Sequence, residues 1–205
     1  MIRIDNLEIY GIESAMRGMR NPMNSWHLND TTDIFIGDND LKLLKQLVKA
    51  GADHRKALRQ MFITCDITAP LYWWKEFDTY KVGVTTNSQS TMHKLCSRPL
   101  TVHDFSFEDM HDQEWIIGVL LDNINSRIRD YKADQKQNKA LWRTIIQLLP
   151  CAYNQTRTVT MNYENVLNMY QQRKNHKLSE WREFCQYMYD NLDYCKILVD
   201  ELESK

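Results

Sequence analysis

Residues 61–80 read MFITCDITAPLYWWKEFDTY. Across the first eight, Met61, Ile63, Cys65 and Ile67 fall on one side of an extended chain, with Thr64, Asp66 and Thr68 on the other. That is the period of a strand with one face in a core. Pro70 suits the first turn of a helix, where its missing N–H costs nothing. A helix is therefore expected over 71–80, dense in aromatic side chains. A strand running straight into an aromatic helix points to a mixed fold.

Working outward, residues 2–10 (IRIDNLEIY) alternate well enough for a second strand. Asp38-Asn39 can cap a helix starting near Asp40, with Leu41, Leu43, Leu44 and Leu47 as its apolar stripe and Gly51 as its stop. A further helical stretch is expected from about His54. Residues 82–92 are polar and loop-like. Helices are expected at about 111–131, 136–149 and 161–173. A last one over 180–202 carries Trp181, Phe184, Met188, Leu192, Cys195, Leu198 and Leu202 at helical spacing. The chain has no internal repeat and no low-complexity linker, and only 4 prolines and 6 glycines, which favours long helices. The reading is α+β: a small, mostly antiparallel sheet covered by long helices, in one domain spanning 1–205.

Composition excludes more than it assigns. With 43% apolar and 26% charged residues this is an ordinary folded chain. Its 26 basic and 27 acidic residues demand neither nucleic acid nor an anionic membrane as partner. The longest apolar run, Trp115–Leu121, is too short to span a bilayer. The N-terminus lacks the apolar core of a signal peptide, so a cytoplasmic protein is expected. Five cysteines without metal or disulfide spacing read as buried thiols, Cys65 and Cys185 above all. Six scattered histidines form no metal pair, so no metal is expected. There is no GxSxG, P-loop or GxGxxG.

One segment resists this reading. Residues 161–173, MNYENVLNMYQQR, place Asn162, Asn165, Asn168 and Arg173 on an amphipathic helix, although asparagine is a mediocre helix former. Either these are solvated positions or the helix holds something polar.

Two blocks read together resemble the flavin-dependent thymidylate synthases. In that family a strand ends in Ala-Pro, here Ala69-Pro70. An aromatic helix follows, then an Arg-His-Arg triplet, here Thr79-Tyr80-Lys81, and a loop bearing Asn, Glu, Ser and Arg. Further on a Leu-Pro, here Leu149-Pro150, precedes an asparagine by twelve residues, here Asn162. Asn168 and Arg173 keep the family spacing, with His176 and Trp181 after them. The matched blocks cover 47–95 and 141–190, about half the chain.

The resemblance implies reductive methylation of dUMP to dTMP, with FAD as cofactor, methylenetetrahydrofolate as carbon donor and NADPH as reductant, in a homotetramer. It makes Tyr80, Lys81, Asn162, Asn168 and His176 cofactor-binding. Asn87, Gln89, Ser90, Arg143 and Arg173 would bind the nucleotide, with Arg173 and Ser90 in catalytic positions. Amides suit flavin edges because they offer donors and acceptors together. Arginine suits a uracil carbonyl or a phosphate through its planar fork.

The departures concern cations. Of the triplet only Lys81 keeps a charge. The loop arginine is Thr91 or Met92, depending on one inserted residue. The arginine expected before Pro150 is Ile146, and a second arginine of the asparagine helix is Glu164. Lys81, Arg143 and Arg59 are the cations that remain nearby. Two other readings therefore stay open: a relative acting on another pyrimidine nucleotide, and a non-catalytic nucleotide-binding or interaction protein on the same scaffold.

Overall fold

A computed structural model describes residues 2–108, 114–134 and 137–204. The expected strand at the N-terminus forms as β1 (Arg3–Tyr10), and α1 (Ile12–Met19) follows it. Next come α2 (Asp38–Ala50), β2 (Phe62–Pro70) and α3 (Leu71–Phe77). On β2, Ile63, Cys65 and Ile67 are buried and Phe62 is exposed, as the alternation requires. Pro70 closes the strand instead of opening the helix.

Helix α2 begins two residues earlier than its sequence signal. Gly37 occupies the cap position without a side-chain bond. Asp30 does the capping from a distance: its carboxylate accepts from the backbone N–H of Asn39 at 2.9 Å and of Asp40 at 3.0 Å. Gly37 makes this approach feasible, since a Cβ there would lie 2.2 Å from Asp30 Cγ. The helical stretch expected from His54 is a short 3-10 turn, Lys56–Arg59.

The polar 82–92 segment contains two elements that the sequence reading missed, β3 (Thr85–Ser88) and α4 (Thr91–Lys94). Helices α5 (Glu114–Ala133) and α6 (Lys139–Gln147) match the two expected ones. The first residues of those two, 111–113 and 136, lie outside the described residues.

The largest difference is β4 (Asn154–Asn162), which ends where α7 (Tyr163–Arg173) starts. The expected helix at 161–173 is thus strand for its first two residues. The expected helix at 180–202 is two, α8 (Ser179–Asn191) and α9 (Cys195–Glu203). Tyr194 breaks it with φ 61°, in the left-handed region that tyrosine seldom adopts. Its hydroxyl fixes the break by accepting from Ile36 N at 2.8 Å and donating to Ile34 O at 3.3 Å.

The four strands form one sheet in the order β1-β2-β4-β3. Side chains on its polar face give the antiparallel register of β2 and β4. Thr64 meets Thr160 at 3.3 Å, Asp66 accepts from Thr158 at 2.6 Å, and Thr68 meets Thr156 at 2.8 Å. Asp66 also accepts from Asn6 Nδ2 at 2.7 Å. These two bonds hold its carboxyl below the usual range.

The chain forms two compact units. The first comprises Thr68–Phe77 and Ser88–Arg157; the second comprises Ile2–Ile67, Asp78–Asn87 and Thr158–Lys205. The first has its own core of Leu95, Leu100, Ile124, Ile128 and Ile145 with neighbours. In α3, Trp73, Trp74 and Phe77 are buried within the chain, in T-shaped and stacked contacts at 4.9–5.3 Å. The aromatic density of this helix is therefore satisfied internally. In the second unit Ile63, Cys65, Val159, Met161, Leu167, Trp181 and Phe184 are buried. Burial pushes the Cys65 and Cys185 thiols up to about 12, so neither is a nucleophile at neutral pH. No described helix is long and apolar enough to cross a membrane.

Candidate active site

The junction of β4 and α7 answers the question of the asparagines. Asn162 is the N-cap of α7: its Oδ1 accepts from Asn165 N at 3.0 Å, and Asn165 Oδ1 accepts from Asn162 N at 3.0 Å. The two amides form a reciprocal capping box, satisfying donors that the first helical turn leaves without partners. Two of the four polar positions thus start the helix.

The same two amides hold a loop. Asn165 Nδ2 donates to Val82 O at 2.8 Å. Next to it Gly83 has φ +75°, and a Cβ there would sit 2.7 Å from Asn162 Nδ2. Only glycine lets the backbone pass so close over the amide. Asn162 keeps 6% of its surface, while Val82 points outward at 88% exposure.

At the far end of α7, Arg173 Nε donates to the Tyr80 hydroxyl at 2.9 Å, which in turn donates to Gln172 Oε1 at 3.0 Å. The Arg173 guanidinium carbon lies 5.1 Å from the ring centre of buried Trp181 and 5.8 Å from that of Tyr80. His176 lies edge-on to the same tryptophan, ring centres 6.4 Å apart, and its Nδ1 accepts from Leu178 N at 3.2 Å. Segment 80–83 therefore runs along one side of α7, fixed by Arg173 at one end and by Asn162 and Asn165 at the other. Lys81 is exposed on that segment, and Asn87 is exposed on β3 of the same unit.

Asn168 faces elsewhere. Its Oδ1 accepts from Arg55 Nη2 at 3.3 Å. Arg55 Nε lies 3.1 and 2.9 Å from the two carboxylate oxygens of Glu164. Arg55 and Glu164 are both buried. Arg55 was not singled out in the sequence, and only the contact with Glu164 identifies it. Arg59 is an exposed residue that donates to Ala52 O at 2.9 Å.

The remaining expected residues belong to the first unit. Ser90 is the N-cap of α4, its Oγ accepting from His93 N at 3.2 Å. Gln89 is exposed, and its carbonyl accepts from Gln155 Nε2 at 2.9 Å. Gln155 Oε1 accepts in turn from Arg157 Nε at 2.9 Å, and the Arg157 guanidinium carbon lies 4.2 Å from the centre of Trp74. Arg157, on the missed strand β4, is a cation that the sequence reading passed over. Arg143 is exposed on α6. Among the described residues, no group of three or more His, Cys, Asp or Glu could hold a metal.

No protein-family model matches this chain. No curated protein matches it either. Solved structures do. Thymidylate Synthase X (ThyX) from Helicobacter pylori, solved with FAD and dUMP, superposes with a TM-score of 0.76 at 14% identity, covering 99% of this chain and 100% of that one. A second structure of that enzyme with FAD and dUMP gives 0.74 at 14% identity over 98% and 99%. PolB from Streptomyces cacaoi, a UMP/dUMP methylase bound with 5-Br dUMP, gives 0.69 at 10% identity over 100% and 94%. At these identities the likeness is one of architecture, and the chain has the fold of the flavin-dependent thymidylate synthases.

Proposed function

We propose that this chain is a flavin-dependent methyltransferase of pyrimidine nucleotides, converting dUMP to dTMP as a cytoplasmic homotetramer. The observation that carries this reading is the placement of Arg173, whose guanidinium is held by the Tyr80 hydroxyl and the Trp181 ring beside segment 80–83. Two whole-length fold matches to a synthase solved with FAD and dUMP support it.

The donor set fits a flavin in kind. The capping box and Val82 take both Oδ1 atoms and Asn165 Nδ2, which leaves Asn162 Nδ2 beside Gly83 as the amide donor; Lys81 offers one exposed cation, and His176 an imidazole. This mixture suits ring-edge nitrogens and carbonyls and one phosphate. It lacks the paired arginines that would clamp a diphosphate bidentately. Tyr80, at the middle position of the triplet, is tied to α7 by its hydroxyl.

In this reading Asn162, Tyr80, Lys81 and His176 bind the cofactor, which when bound and reduced supplies the hydride, with methylenetetrahydrofolate giving the carbon and NADPH the electrons, while Asn168, turned toward Arg55, supports α7 from its other side. Arg173 orients the pyrimidine and polarises its carbonyl, with Tyr80 and Trp181 fixing the plane of the guanidinium. Asn87, in the same unit, contacts the nucleotide; for Gln89, Ser90 and Arg143, which belong to the first unit, the nucleotide role rests on the family resemblance alone. Ser90 acts through its position at the head of α4; its Oγ is already a cap acceptor.

A second reading has its own support. The match to a UMP/dUMP methylase over 100% of this chain adds UMP to dUMP as a substrate to consider. Rescue of a thymidine-requiring strain lacking its own synthase, beside an Arg173→Ala control, separates the two. Growth with the wild type and none with the variant supports dUMP. No growth from well-expressed wild type moves the assignment to another nucleotide.

A further inference from the structure

The first unit contains a cavity of roughly 560 Å3, within the range of sites for nucleotide-sized ligands. Its wall is built from α4, the turn after it, the end of α5 and the start of α6. Trp142 and Tyr131 pack partly on the apolar cluster of Leu95, Cys96, Ile128 and Ile145 and also line the cavity. Trp142 is pinned there, its Nε1 donating to Met92 O at 3.2 Å. Lys132 Nζ donates to the carbonyl of another lining residue, Ser97, at 2.6 Å.

Among the described residues that line this space the basic side chains are His93, Lys94 and Lys139, and none is acidic. Among the described residues neither lysine is paired with a carboxylate. Two ammonium groups left without a carboxylate among the described residues attract an anion, and flat aromatic faces favour a flat ring beside it. We infer that this cavity binds an aromatic organic phosphate, with Lys94 and Lys139 on the phosphate and Trp142 and Tyr131 against the ring. The site lies wholly within the first unit and does not depend on a flavin in the second.

Calorimetric titration with 1-naphthyl phosphate, 1-naphthol and inorganic phosphate tests this on the wild type, on the double variant Lys94→Gln/Lys139→Gln and on Arg173→Lys. Both lysines are exposed, so the double variant leaves the core intact. The expected result is that wild type binds 1-naphthyl phosphate more tightly than either fragment. The double variant should weaken that binding at least tenfold, and Arg173→Lys should leave it unchanged. Absence of binding by wild type overturns the inference, as does a double variant that loses less than that. Loss in Arg173→Lys with retention in the double variant also overturns it, and would place the anion at the nucleotide site proposed above.

Discussion

Arg173 and Tyr80, 93 positions apart in the chain, are joined by a 2.9 Å hydrogen bond from Nε to the phenol oxygen. The bond ties the end of α7 to the segment where the family's cationic triplet would be. In this chain the middle of that triplet holds the arginine rather than an anion. Lysine in place of Arg173 keeps the charge but loses the planar fork. Arg173→Lys is expected to weaken dUMP binding by about 1–3 kcal/mol. The melting temperature should move little, because the side chain is only partly buried. Calorimetric titration and thermal melts read the two effects separately.

Asn162 has two assignable jobs, and one substitution separates them. Asn162→Ala removes the cap acceptor and should cost about 1 kcal/mol of stability. Asn162→Asp keeps that acceptor while losing the amide N–H, so stability should stay close to wild type. If the amide also serves the flavin, Asn162→Asp binds flavin less well despite its normal stability. Denaturant titration and flavin titration of both variants check this.

Gly83→Ala forces a side chain into the left-handed region and against Asn162 Nδ2 at 2.7 Å. A cost of about 1–2 kcal/mol from the backbone alone is expected, with segment 80–83 displaced from α7. A variant as stable as wild type would show that this loop does not rest on the cap.

The buried pair Arg55–Glu164 explains how a glutamate is accommodated where the family has an arginine. Arg55→Met leaves the Glu164 carboxylate buried without its cation and should cost about 3–5 kcal/mol. Arg55→Met combined with Glu164→Gln should recover much of that loss, and denaturant unfolding measures both.

Asp30, Asp66 and Asp104 are all held below the usual carboxylate range: Asp30 chiefly by Asn39 N–H, Asp66 by Thr158, and Asp104 by Arg98. Each binds a proton less readily folded than unfolded. Their stabilisation is therefore complete above the unfolded carboxylate range, about pH 4, and fades as the pH falls below it. Melting temperature should hold from neutral pH to about 5 and then drop, and Asp30→Asn should flatten part of that drop.

The elements legible in the sequence are those whose faces differ in polarity. Strand β2 showed its alternation, and α2 its leucines. Strand β4 did not, because Gln155 and Arg157 make the first half of its inward face polar before Val159 and Met161, and its end merges with the following cap. The pattern Asn162-x-x-Asn165 is a capping signal, but it was read as part of a polar helix face. Distant partners hid the rest. Asp30 caps α2 from outside the helix, and loop residues Ile34 and Ile36 hold Tyr194 in the break between α8 and α9. Of the site, Arg173 and Trp181, which only the family resemblance picks out, stack on one another in the structure. Arg55 and Arg157 were not legible, since their partners Glu164 and Trp74 lie far along the chain.

The most direct test of the central claim is titration of the purified apo-protein with flavin adenine dinucleotide, followed by its visible absorbance, at low and at high ionic strength. With Lys81 as the main phosphate contact, the account predicts that the flavin binds, that the bound spectrum is perturbed, and that affinity falls steeply as salt rises. A protein that shows no spectral change at either ionic strength would contradict it.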